Sequence, residues 1–220
     1  MPHKNSCNDC DLRIADSPHF SGMAKCHSVS FPGRFMTEMG QKWLSALYAF
    51  FINHVDGISY VAMDASRTVI GFVVGGNKNI RPQFLQYALI RYPHIILWKF
   101  LCKSMVRKTL LAELAKKLHR KEKKARAGLS NREDPKECGS LLSICVMPEY
   151  QGSGIAGELI EAFQSACAEE GYDRLELSVV SENERAIKFY KKHGWSRIEC
   201  RGQSERFMLV LNRDTNHSAK

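Results

Sequence analysis

The chain has 220 residues and a formal net charge of +9, enough length for one domain with a buried core and too little for two full ones. Its 44% apolar and 25% charged residues are globular proportions and exclude a disordered or collagen-like polymer. The start, Met1 to Cys7, lacks the apolar stretch of a secretory signal, and no run of about 18 apolar residues is available for a membrane span. The expectation is a cytoplasmic protein whose eight cysteines are reduced thiols. Cys7 and Cys10 form a CxxC, but Cys26 and His27 follow at no common zinc spacing, so no metal is expected.

Leu12 to Ala15 reads as a short strand, and Asp16-Ser17-Pro18 as the start of a helix reaching about His27. After the breakers Phe31-Pro32-Gly33, the apolar positions Phe35, Met39, Trp43, Leu44, Leu47, Phe50 and Phe51 recur at helical spacing, predicting one amphipathic helix to about Asn53. Ile58 to Met63 and Val69 to Val74, separated by Asp64-Ala65-Ser66-Arg67 and ended by Gly75-Gly76, read as a β-hairpin. Arg81 to Arg126 is helical in character and divided by Pro93, and Asn131 to Gly139 is a polar loop. Then come a strand (Leu141 to Met147), a helix (Ser153 to Glu170, closed by Gly171) and a strand (Arg174 to Val180). A helix (Asn183 to His193, closed by Gly194) and two last strands, Trp195 to Cys200 and Arg206 to Leu211, complete the chain. This order predicts an α/β fold, a mixed sheet with helices on both faces.

The charge is concentrated. Lys78 to Arg126 holds 14 Lys and Arg against Glu113 and Glu122, which leaves the rest of the chain slightly negative.

The sharpest local signal is Met147-Pro148-Glu149-Tyr150-Gln151-Gly152-Ser153-Gly154-Ile155-Ala156-Gly157. A strand enters a glycine-rich turn that opens a helix, whose unpaired N–H groups and positive dipole end suit a phosphate. No lysine of the P-loop type is present, which favours holding a cofactor over transferring its phosphoryl group. Gly152, Gly154 and Gly157 also satisfy G-x-G-x-x-G, with Glu182 near the distance of a ribose-binding acid, so a dinucleotide fold is a rival reading, and a structural glycine turn another. Against the dinucleotide fold, Pro148 to Gln151 separate strand from first glycine, and about 60 residues remain, too few for a doubly wound sheet.

Gln151, Gly154 and Ala156 stand as the Q/R-x-x-G-x-G/A signature of the GCN5-related N-acetyltransferase (GNAT) superfamily, which the chain resembles. Asn183, Ala186, Phe189-Tyr190 and Gly194-Trp195 are similar to that family's N-x-x-A-x-x-(F/L)-Y-x-K-x-G-(F/W) segment at its usual distance downstream. The resemblance implies a GNAT-like splayed sheet with a helical insertion between the third and fourth strands. Residues 12–212 would form one acetyltransferase domain between flexible tails at 1–11 and 213–220, with the insertion over 78–139 and the acetyl-CoA-binding half over 140–212.

It further implies acetyl-CoA as co-substrate, with Gln151, Gly152, Ser153, Gly154, Ile155 and Ala156 at its pyrophosphate. Backbone groups of Ile144, Cys145 and Val146 would pair with the pantetheine amides as an added strand would. Asn183 would hold the cofactor arm, with an N-cap as its other reading, and Tyr190 would be the acid beside the sulfur, with core packing as its other reading. The Val146 N–H would be the oxyanion donor. Where some relatives place a glutamate base, this chain has Ser178; Glu176, on the same strand face, is the candidate that replaces it, with Glu38, His27 and Asp64 behind it. A covalent acyl-cysteine at Cys145 is an alternative that strand cysteines rarely serve.

The insertion's first part, Phe84 to Leu101, is too apolar for a solvated arm. It packs on the domain, lies on an anionic membrane surface through 81–126 at the inner face, or meets a protein partner such as a second copy; aromatic and basic residues are not interleaved as nucleic-acid binding requires. Phe31 to Phe35 followed by a Trp- and Lys-bearing insertion is similar to acetyltransferases of bacterial surface-polysaccharide synthesis, which implies an amino-sugar acceptor. Protein or small-molecule amines stay open as acceptors, as does a non-catalytic acetyl-CoA-binding scaffold.

Overall fold

A computed structural model describes residues 10–102 and 138–211. The sequence readings for Cys7, for most of both tails and for 103–137 within the insertion fall outside the described residues.

The elements are β1 (Asp11–Ile14), α1 (Phe20–Ser30), α2 (Phe35–Met39), α3 (Gln41–Ile52), β2 (Gly57–Met63), β3 (Val69–Asn77), α4 (Ile80–Arg91), α5 (Pro93–Cys102), β4 (Cys138–Val146), α6 (Ile155–Glu169), β5 (Arg174–Val180), α7 (Glu184–Lys192), β6 (Ser196–Arg201) and β7 (Ser204–Val210). The strands form one seven-stranded sheet in the order β1-β2-β3-β4-β5-β7-β6. Only β4 and β5 run parallel, joined by the α6 crossover, and every other neighbour pair is antiparallel. This is the mixed, helix-flanked sheet that the element order predicts.

β3 is buried along its whole length, as a β-branched strand covered on both faces should be. Phe72 and Val74 face the core under α1, α3 and α4, and Val73 faces the core under α6 with Leu159 and Phe163. The period-2 alternation of a strand thereby serves two cores.

The single helix predicted over Phe35 to Asn53 is two helices. Gly40 sits at φ 98° and ψ 169°, far from helical values and open to glycine at little cost, so α2 ends there and α3 starts in a new direction. The apolar spacing continues across the break because both pieces bury the same side. Other limits shift by a few residues: β3 runs on to Asn77, and β4 begins at Cys138 because pairing with β3 and β5 draws the end of the polar stretch into the sheet.

In α4, Ile80, Phe84 and Ala88 form the buried stripe at i, i+4 and i+8. Phe84 meets Trp43 of α3 edge-on, with ring centroids 5.2 Å apart, an arrangement that adds about 1 kcal/mol beyond burial. Pro93 opens α5 at its first position, where its missing N–H costs nothing.

Candidate active site

The site begins where the sheet fails to close. β4 and β5 pair only through Cys138–Arg174, Gly139–Leu175 and Ser140–Glu176; beyond these, β4 continues along β3 to Val146 while β5 continues along β7 to Val180. Two strand edges therefore face each other across a gap, and edge main-chain groups shut away from water need partners. The N–H of Met147 donates to the Ile70 carbonyl at 2.8 Å, which makes Val146–Gly71 a non-hydrogen-bonded pair of the antiparallel ladder. The main-chain groups of Val146 and, two residues back, Ile144 thus point into the gap, while those of Cys145 belong to the β3 ladder.

The loop that follows carries the anion-binding features. Gly152 (φ 89°) and Gly154 (φ 100°) are left-handed, and Gly154 is the N-cap of α6. The turn after Ser153 aims the first-turn N–H groups of Ile155 and Ala156 outward without intrahelical acceptors. A Cβ built at either glycine meets nothing within 4 Å, so the space above the turn is open. Gln151 straps the loop: its Nε2 donates to the Val146 carbonyl at 3.2 Å, and its Oε1 accepts from Arg185 at 2.5 Å. Arg185 was not singled out by sequence reasoning, since an exposed arginine in a helix's first turn has no local signal; the contact joins the mouth of the gap to α7 and puts a cation beside the loop. Asn183 caps α7, its Oδ1 accepting from the Ala186 N–H at 3.2 Å.

Tyr190 packs in the apolar cluster that holds Val146, Leu177 and Val179, residues of the two strands where they part or border the gap. Burial pushes its hydroxyl up to about 12, so it is a neutral phenol, a donor, throughout the physiological range. Glu176 stands at the last paired position of β5, and its carboxylate accepts from Arg206 at 2.5 Å, a guanidinium shared with Glu199 at 3.0 Å. Ser178 is exposed on the same strand. Asp64 serves the hairpin turn, accepting from the Ser66 and Thr68 N–H groups at 2.9 Å, and Glu38 is half-buried in α2.

The last turn of α1 packs beside the end of β4. The Ser30 hydroxyl donates to the Val146 carbonyl at 3.2 Å, and the Cys26 and Cys145 sulfurs are 3.6 Å apart. The shared hydrogen bond lowers Cys145 and, with burial, raises Cys26. Access decides against a nucleophilic role, since Cys145 is 3% exposed and its side chain faces α1. Cys145→Ala is expected to keep acetyl transfer within about tenfold, with no acetylated protein in intact-mass spectra, whereas an acyl-cysteine route would lose activity by orders of magnitude.

His27 Nδ1 lies 2.6 Å from the Tyr48 hydroxyl. Burial lowers His27 from 6.5 to about 4, which leaves it neutral and a poor base. The folded value lies below the unfolded one, so between these two pH values the unfolded chain binds the proton and the folded chain does not. Stability is full above pH 6.5 and falls as pH drops toward 4, by about 3 kcal/mol in all. Urea unfolding across that window should show the loss, and His27→Gln should flatten it; an unchanged slope would assign the acid sensitivity elsewhere.

The sequence profile of the acetyltransferase (GNAT) family matches residues 23–195. Among solved structures, the fold is similar to the PaiA N-acetyltransferase of Thermoplasma acidophilum in complex with coenzyme A (TM-score 0.58, 13% identity, 92% of this chain and 99% of that one). It is also similar to a GNAT-family acetyltransferase of Staphylococcus aureus Mu50 (TM-score 0.57, 11% identity, 92% and 99%), and to the ribosomal-protein-S18-alanine N-acetyltransferase of Escherichia coli (TM-score 0.55, 11% identity, 96% and 99%). The matched span includes most of α1, the parted strands, the glycine loop and Tyr190, so the chain belongs to the GNAT family of acetyl-CoA-dependent N-acetyltransferases.

Proposed function

We propose that the protein transfers acetyl from acetyl-CoA to the primary amine of an amino sugar, free or attached to a nucleotide or lipid carrier, by direct attack in a ternary complex in the cytoplasm. The observation that carries the transfer is the gap between β4 and β5, with Ile144 and Val146 presenting main-chain groups to it and Gln151, Gly152, Ser153, Gly154, Ile155 and Ala156 at its mouth. Bound there, acetyl-CoA supplies an acetyl thioester. Ile144 would pair with the pantetheine arm, the α6 N-terminus would take the pyrophosphate, and Arg185 would add a positive charge, while the Val146 carbonyl stays with Ser30 and Gln151. The Val146 N–H would offer a donor to developing negative charge, and Tyr190, neutral at working pH, the proton for the departing sulfur.

The sequence reading put Glu176 forward as base. Because its carboxylate is engaged by Arg206, the mechanism proposed here runs without a side-chain base, and the acceptor enters as its free amine. On this reading Glu176→Gln keeps most activity, and kcat/KM rises with pH until the acceptor amine is fully deprotonated. Support for an amino-sugar carrier acceptor comes from the cationic α4–α5 segment, which would attract its phosphates.

The test is calorimetric binding of acetyl-CoA and of NAD(H), followed by thiol release against amino sugars, sugar nucleotides, small amines and peptides. Acetyl-CoA binding with turnover only on peptides or polyamines would replace the acceptor, and binding with no turnover on any amine would favour a scaffold.

A further inference from the structure

Helices α4 and α5 dock on the body through one face each and leave the other in water. In α5, Ile95 and Ile96 pack toward the core, whereas Leu97 and Leu101 on the far side are 60% and 64% exposed and Trp98, at the edge of a cleft shared with Ile95 and Gly40, is 67% exposed. Spacing of i, i+1 and i+4 makes these three one stripe. At the end of α4, Leu89 and Ile90 are 61% and 84% exposed. Singly exposed apolar residues are ordinary, but five large ones within 13 consecutive positions mark an interaction surface.

The charge around them narrows the partner. From Lys78 to Cys102 there is no Asp or Glu, while Lys78, Arg81, Arg91 and Lys99 are cationic. A self-complementary protein interface gains from charges of both signs, and a single-sign set repels its own copy. Apolar residues with a tryptophan, on a segment whose own charged residues are all cations, suit an anionic lipid surface, where the ring sits at the headgroup level and each cation adds attraction. Among the described residues no helix is long and apolar enough to cross a membrane, so contact would lie in the interface plane.

We propose that α4 and α5 form a docking surface for an anionic phospholipid bilayer, with Leu97, Trp98 and Leu101 entering the headgroup boundary. The proposal does not depend on which amine is acetylated, but it gives the α4–α5 cations to lipid headgroups where the acceptor reading gives them to a carrier's phosphates. Its test uses a spectroscopic property of this chain. Of the three tryptophans, Trp43 and Trp195 are 3% and 2% exposed, so a change of emission on adding vesicles reports Trp98.

The full-length protein is mixed with vesicles of phosphatidylcholine alone, or of phosphatidylcholine with phosphatidylglycerol, and followed by flotation and tryptophan emission. The expected result is flotation and a blue shift with the anionic vesicles, both weakened by salt. The double substitution Leu97→Glu with Leu101→Glu, which keeps the Trp98 reporter, should lower partitioning by roughly a hundredfold and leave acetyl-CoA affinity unchanged, which also certifies the fold. Absence of flotation with anionic vesicles overturns the proposal. So does vesicle binding that survives the double substitution, which would place the contact elsewhere. Concentration-dependent dimerisation that the double substitution abolishes, without lipid binding, would assign the surface to a second copy.

Discussion

Tyr190→Phe is expected to leave acetyl-CoA affinity within about twofold and to lower kcat by two to four orders of magnitude, the range for loss of a positioned proton donor. The substitution is clean because the ring does the packing: Tyr190 contacts Phe189, Trp195 and Phe207 through its faces and edges, and phenylalanine keeps every one of these. A drop in kcat with an unchanged binding constant would therefore report an interaction made during transfer. The pH profile separates the roles further. With its hydroxyl near 12, Tyr190 does not titrate below about pH 11, so a rise of kcat/KM through neutral pH belongs to the acceptor amine and must survive in Tyr190→Phe. Wild-type turnover in the variant would return Tyr190 to the core-packing reading. A loss of binding and turnover together would make it a ligand for the cofactor alone.

The second half of the fold was legible because its elements are short, regular and punctuated. Gly154, Gly171 and Gly194 each take positive φ where helix periodicity begins or ends, so local chemistry and tertiary placement agree. The first half was less so. Gly40 lies inside an unbroken helical apolar pattern, and only its backbone conformation shows that the chain turns there. The parting of β4 from β5 is a property of two strands with no sequence mark of its own. It was reached through a family resemblance, and the register then assigns Ile144 and Val146 to the gap and Cys145 to the β3 ladder.

Contacts across long separations were out of reach. Cys26 and Cys145 are 119 positions apart, and nothing in an apolar helix or strand announces that their sulfurs touch. Likewise Glu176, attractive as a base on its strand face, is paired by Arg206 through a neighbouring strand whose register no local pattern sets.

Gly154→Val is the most direct test of the glycine loop, and cofactor affinity should fall by roughly a thousandfold, the loss of several charge-assisted main-chain hydrogen bonds. Two effects act together. A β-branched residue at φ 100° costs on the order of 1–3 kcal/mol, so the turn relaxes and the N–H groups of Ile155 and Ala156 lose their aim. The new side chain also projects into the open space above the helix N-terminus, where nothing lies within 4 Å of a built Cβ and a phosphate would come. The same openness means that no neighbour is struck, and the core clusters around Leu159 and Phe163 should keep the protein folded with a modest loss of thermal stability. Calorimetry with acetyl-CoA, paired with a melting curve, reads both quantities. Affinity lost from a folded protein identifies the loop as the phosphate cradle, and affinity kept would show that the glycine only shapes the turn and that the cofactor's charge is held by side chains such as Arg185.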